Sequence, residues 1–185
     1  MKKLILVVML VLAFACTSAF AFVPVSNNLT NTRDSSIVNV MTTANFSGGI
    51  WTWIYEVTPD AGSTDVSIFR INLGQTITSS IFNVNGPVNT AGITTVPCWS
   101  NYGLNNGYIQ WTDKLSNNNL TAGNTYRFGF DTKYGPQSEA FASAMAADGY
   151  TGYVPGPSTV PEPGSLLALT SFLAASAGFM RIRKN

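Results

Sequence analysis

The 185-residue sequence predicts an all-β body, an antiparallel β-sandwich, flanked by an N-terminal signal peptide and a C-terminal transmembrane sorting helix. Three observations predict the sandwich. Aromatic and β-branched residues alternate with polar ones over short runs. Gly, Asn and Pro punctuate these runs at turn positions. No helix of ordinary length stands out and no βαβ rhythm appears, which leaves sheet against sheet as the way to build a core.

The first element is an export signal, residues 1–21. Lys2 and Lys3 make a positive start, Leu4 to Ala15 is an unbroken apolar run, and Ala19-Phe20-Ala21 offers small residues where a signal peptidase reads. Cleavage is expected after Ala21. The run is shorter than the ~20 apolar residues of a permanent membrane span. Ala13-Phe14-Ala15-Cys16 lacks the shape of a lipoprotein box, since Phe14 is bulky and no Leu stands at position 13.

The body, residues 22–151, carries the strands. In Ile50–Val57, Trp51, Trp53, Tyr55 and Val57 share one face, with Ile50, Thr52, Ile54 and Glu56 on the other. Pro59-Asp60-Ala61-Gly62 makes a turn. Val66–Leu73 follows, with Phe69, Ile71 and Leu73 opposite Arg70. Ile77–Val84, Tyr108–Trp111 and Thr125–Thr132 are further strands; in the last, Tyr126, Phe128 and Phe130 alternate with Arg127, Gly129 and Asp131. Ser138–Ala147 has helical propensity through its alanines and reads as a loop with a turn or two. Residues 152–159, rich in Gly and Pro, read as a semi-rigid linker.

Residues 160–185 form a tripartite tail. Val160-Pro161-Glu162-Pro163 favours an extended segment, because prolines forbid helix through it. Gly164 to Arg181 is long enough, at ~1.5 Å per residue, to cross the hydrocarbon layer as a helix. Arg181, Arg183 and Lys184 stay on the cytoplasmic side, which sets the body outside. The helix is rich in Ala, Ser and Gly, which suits close helix approach more than permanent anchoring.

This tail resembles the PEP-CTERM sorting domain of Gram-negative bacteria. The resemblance implies recognition by exosortase, a membrane-embedded cysteine protease that cuts near the Pro-Glu-Pro motif, in species that make exopolysaccharide. The body's runs Trp53–Val57, Ile68–Ile71, Ile109–Trp111, Leu120–Gly123 and Phe128–Asp131 are also similar to the sandwich modules that often precede such a tail.

Composition excludes several chemistries. There is no histidine, so a Ser-His-Asp triad and a Cys-His pair are ruled out, as are most catalytic zinc sites. Cys98 is the body's single cysteine, which forbids an intrachain disulfide and reads as a small buried residue. No phosphate loop or dinucleotide fingerprint is present. Between the terminal segments five basic residues face eight acidic ones, a balance that argues against nucleic acid.

Three residue sets keep chemistry open. Glu56, Asp113, Asp131 and Glu139 are the candidate acids of a carboxylate-based hydrolase. Asp60 and Asp65 bracket a Gly-containing loop that offers oxygen to calcium, although an ordinary turn explains it as well. Trp99 and Tyr102, in a loop-like stretch, are the candidate sugar contacts, while Trp51, Trp53 and Tyr55 fill the core. No catalytic residue, metal or cofactor is expected. The expected function is that of a non-enzymatic exported protein, structural or adhesive, connected with exopolysaccharide at the cell surface or in the matrix. The alternative is a carbohydrate-binding module, and the hydrolase is a weaker one. Expected partners are signal peptidase, an exosortase-like protease and exopolysaccharide.

Overall fold

The computed structural model describes residues 20–63, 66–89, 94–95, 99–101, 104, 107–113, 119–145 and 149–159. Eleven strands account for most of them: β1 (Phe20–Asn31), β2 (Ile37–Ser47), β3 (Ile50–Pro59), β4 (Ile68–Asn72), β5 (Phe82–Asn89), β6 (Thr94–Thr95), β7 (Trp99–Asn101), β8 (Tyr108–Asp113), β9 (Tyr126–Thr132), β10 (Pro136–Met145) and β11 (Gly149–Pro157). A short helix, α1 (Gln75–Thr78), interrupts them after β4.

All pairings are antiparallel, and the strands join in one sheet of order β6-β5-β9-β3-β2-β1-β11-β10-β4-β8-β7. The expected all-β antiparallel class is what the chain adopts. The sheet curls until β5, beside one edge, touches β7 at the other, so that it is nearly closed into a barrel. The indole N–H of Trp111 on β8 donates across this gap to the Asn85 carbonyl on β5 at 3.1 Å.

Alternation builds the interior. The inward residues Trp51, Trp53, Tyr55 and Val57 of β3 meet Phe128 and Phe130 of β9, Phe69 and Ile71 of β4, and Ile109 and Trp111 of β8. Phe69 lies centrally, with its ring 5.0 Å from Phe128, 5.8 Å from Trp111 and 6.2 Å from Tyr55. Buried aromatic rings need partners for their polar tips. Tyr55 donates to the Pro155 carbonyl at 3.1 Å, and Trp53 donates to the Tyr134 carbonyl at 3.3 Å. Burial pushes the Tyr55 hydroxyl well above the ordinary phenol range.

Two glycine-dependent details shape the sheet. Gly48 and Gly49, at φ +59° and +85°, form the two-residue turn between β2 and β3, where left-handed backbone matches strand twist. Gly86, at φ +108°, sits where the β5–β9 register shifts; a methyl there would lie 2.7 Å from the Arg127 carbonyl oxygen.

Three sequence expectations are corrected. Ile77–Val84 is not one strand, because the chain first makes α1 and enters β5 only at Phe82. Hydroxyls decide this locally: Thr78 Oγ1 donates to the Gly74 and Gln75 carbonyls, and Ser80 Oγ donates to Ile77, which closes helical turns. Ser138–Ala147 is neither loop nor helix through residue 145, since β10 occupies it with Ala140, Ala142 and Ala144 buried at a period of two. Residues 152–157 of the expected linker belong to β11, which lies between β1 and β10 inside the sheet. Strands β1 and β2 carry no expectation from the sequence, and their runs of Asn, Thr and Ser conceal them.

Candidate functional site

The outer face of β11, β10, β4 and β8 gathers the most distinctive surface of the described residues. Register places Tyr153, Phe141, Asn72 and Tyr108 directly opposite one another across these four strands. Neighbouring strands stand ~4.8 Å apart, so the row is about 14 Å long. Tyr153 is 57% exposed and Phe141 43%, and their rings meet edge to face with centroids 5.7 Å apart.

Packing beneath explains why these rings point outward. On the inner side, β10 holds Ala140, Ala142 and Ala144, while β11 alternates larger and small residues, Tyr150, Gly152, Val154 and Gly156. Side chains from neighbouring strands fill the space below. A methyl on Gly152 would lie 3.0 Å from Leu29 Cδ2 and 2.8 Å from the Asn28 oxygen, and one on Gly156 would lie 2.7 Å from Ala140 Cβ. Around Ala140, Gly152 and Gly156 there is no room for a further ring. The alternation of the pleat then sends Phe141 and Tyr153 to solvent.

Two residues along each strand, on the same face, Ser143, Arg70 and Gln110 form a second row. Arg70 donates through Nε to Gln110 Oε1 at 2.8 Å, and a terminal nitrogen reaches the same oxygen. The Gln110 amide donates in turn to Thr112 Oγ1 at 2.9 Å. The guanidinium carbon sits 4.7 Å from the Tyr108 ring centre, a cation–π placement. Among the described residues, no carboxylate pairs with Arg70. Arg127 differs, since it is spent on Glu56 at 2.6 Å across β3 and β9.

Below Asn72 the face adjoins a cleft of about 310 Å³ between α1 and the end of β11, lined by Leu73, Gly74, Gln75, Ile77, Pro157 and Ser158 among others. Its lining has no titratable side chain, so it offers hydrogen bonds and apolar contact without acid–base chemistry.

The residues singled out from sequence fall elsewhere. Trp99 is half-buried and packs edge-on against Phe128 with centroids 5.7 Å apart, so its ring belongs partly to the core. Tyr102 lies outside the described residues, as do Cys98, Asp65 and Ala19. Ala21 lies in β1, opposite Asn45, and the expected cleavage would remove only the strand's first two residues. The whole tail, with Val160, Pro161, Glu162, Pro163, Arg181, Arg183 and Lys184, is also outside the described residues. Trp51, Trp53 and Tyr55 are buried as core.

The candidate acids are not brought together. Glu56 and Asp131 share the outer face of β3 and β9, but Asp131 stands opposite Thr52, four residues along from Glu56. At ~3.3 Å per residue this is about 13 Å, beyond the ~5–9.5 Å of a glycosidase pair. Asp131 accepts from Asn83 at 2.8 Å. Asp113 is buried on β8, and Glu139 lies on β10 opposite Pro155. Asp60 closes a turn in which Ser63 donates to its carbonyl. Among the described residues, no three potential metal ligands cluster.

No family model matches the chain, and no curated protein does either. Among solved structures, the chain is similar to the KRT10-binding region domain of the pneumococcal serine-rich repeat protein PsrP. Identity is 12% and the TM-score 0.39, over 76% of this chain and 100% of that one.

The aromatic row escaped sequence reasoning because β10 and β11 did. The available signal was Ala-Phe-Ala-Ser-Ala at 140–144, where small residues at every second position flank one ring.

Proposed function

We propose that this is a non-enzymatic exported protein that contacts extracellular polysaccharide through the outer face of β11, β10, β4 and β8. The supporting observation is the row of Tyr153, Phe141, Asn72 and Tyr108. Sugar rings present apolar C–H faces and polar edges. Exposed aromatic rings match the former, and the Asn72 and Gln110 side chains match the latter. A face built on hydrogen-bonded strands also loses little backbone entropy on binding. The reading keeps the carbohydrate-contact idea and moves it from Trp99 and Tyr102 to these residues. In this proposal the body is a curled sheet used in the manner of a β-sandwich module, presented outside the cell and released by cleavage at the Pro-Glu-Pro tail.

Affinity electrophoresis through gels loaded with host exopolysaccharide tests it. Replacing Phe141 and Tyr153 together by Ala should abolish retardation while leaving the thermal midpoint within a few degrees, since both rings lie outside the core. Retardation equal to that of the unaltered protein would rule this face out.

A further inference from the structure

Resting on that reading of the face, we infer that its ligand is an acidic polysaccharide, and that Arg70 pairs with a uronate carboxylate of the polymer. Arg70 stands two residues from the aromatic row on the same face, between Ser143 and Gln110. Two of its N–H groups serve Gln110 Oε1, and a guanidinium carries five, so three remain to be donated.

The head is held ready. Gln110 is fixed by Thr112 and Tyr108 lies against the guanidinium plane, so little side-chain freedom is left to lose on binding. A planar guanidinium presents paired donors that fit a carboxylate's two oxygens.

Charge complementarity singles out this position. The described acids lie elsewhere: Asp34 and Asp60 in turns, Glu56 and Asp131 on β3 and β9, and Asp113 inward on β8. Asp34 is engaged by the Ser36 hydroxyl at 2.6 Å, which holds its carboxyl below the usual range. Glu139 lies on β10 four residues from Ser143, the residue opposite Arg70, which is ~13 Å along the strand. A body with five basic and eight acidic residues gives no general attraction for an anionic polymer, so recognition must come from this local cation. A neutral polymer would use the rings and leave the remaining donors of Arg70 to water.

The test uses the full chain in non-ionic detergent, run through gels containing polygalacturonate or neutral dextran. Unaltered protein should be retarded more by polygalacturonate, with the difference shrinking as salt rises. Arg70→Gln should weaken polygalacturonate retardation by about tenfold, and any dextran retardation by much less. Arg70→Lys should recover only part of the loss, because the ammonium lacks the fork. Equal retardation of Arg70→Gln and unaltered protein by polygalacturonate would overturn the role of Arg70 while leaving the aromatic face standing. Retardation by dextran alone would do the same. Loss of polygalacturonate retardation in the Phe141→Ala, Tyr153→Ala protein, with no loss in Arg70→Gln, would support the face and overturn the pairing of Arg70 with a uronate carboxylate. No retardation by either polymer or by host exopolysaccharide would overturn both.

Discussion

At the residue scale, Tyr55 shows how a polar atom is tolerated at the centre of an aromatic core. Its ring stacks between Trp53 and Phe130, and its hydroxyl spends its donor on the Pro155 carbonyl of β11. Burial favours the neutral phenol, so the folded-state pKa lies above the unfolded one. The unfolded chain therefore loses its proton first as pH rises. Stability from this group is full below ~pH 10 and declines above it, as the unfolded state binds fewer protons than the folded one. Urea midpoints measured across that range should fall more steeply for the natural protein than for Tyr55→Phe. At neutral pH the substitution should cost about 1 kcal/mol, because the Pro155 carbonyl loses its donor. Parallel alkaline slopes for the two proteins would contradict the buried neutral phenol.

At the element scale, legibility followed the side chains that carry contrast. Strands β3 and β9 were readable because Trp, Tyr and Phe alternate with Thr, Glu, Arg and Asp, and all the inward rings are buried. Strand β10 was not, because alanine has high helix propensity and says nothing about which face it occupies. Packing against β4 and β11 decided the matter. Strand β11 looked like a linker for its Gly and Pro content, yet Gly152 lets it lie close to β1 and Gly156 close to β10. Of the candidate site, Arg70 and Tyr108 were placed on strands from sequence, whereas Phe141 and Tyr153 were invisible until their strands were known. The β1–β11 seam gives a direct test. A methyl at residue 152 would press on the Asn28 oxygen at 2.8 Å, a backbone atom that cannot step aside. Gly152→Ala should therefore destabilise by about 1–3 kcal/mol and lower the melting temperature on the order of 5 °C. A calorimetric midpoint equal to that of the natural protein would show that the seam is looser than described.

At the scale of the whole molecule, antiparallel pairing of β1 with β11 brings the start of the first strand and the end of the last to one end of the sheet. The Pro-Glu-Pro motif begins almost at once after β11, whose last residue is held opposite Pro136, with the Ser158 N–H donating to Gly135 at 2.9 Å. A cut near residues 161–163 would leave every described strand intact. Intact-mass analysis from an exosortase-positive host should find a product that begins near Phe22 and ends near that motif. A mass that retains Arg181 to Asn185 would contradict processing.

The central claim is that one face of the sheet, β11-β10-β4-β8, meets polysaccharide. Its most direct test is polymer retardation of two matched double variants. Phe141→Ala with Tyr153→Ala strips the proposed face, and Met41→Ala with Thr52→Ala alters the outer face of β2 and β3. The first pair should lose retardation on host exopolysaccharide and the second should keep it. The reverse pattern, or equal loss in both, would contradict it.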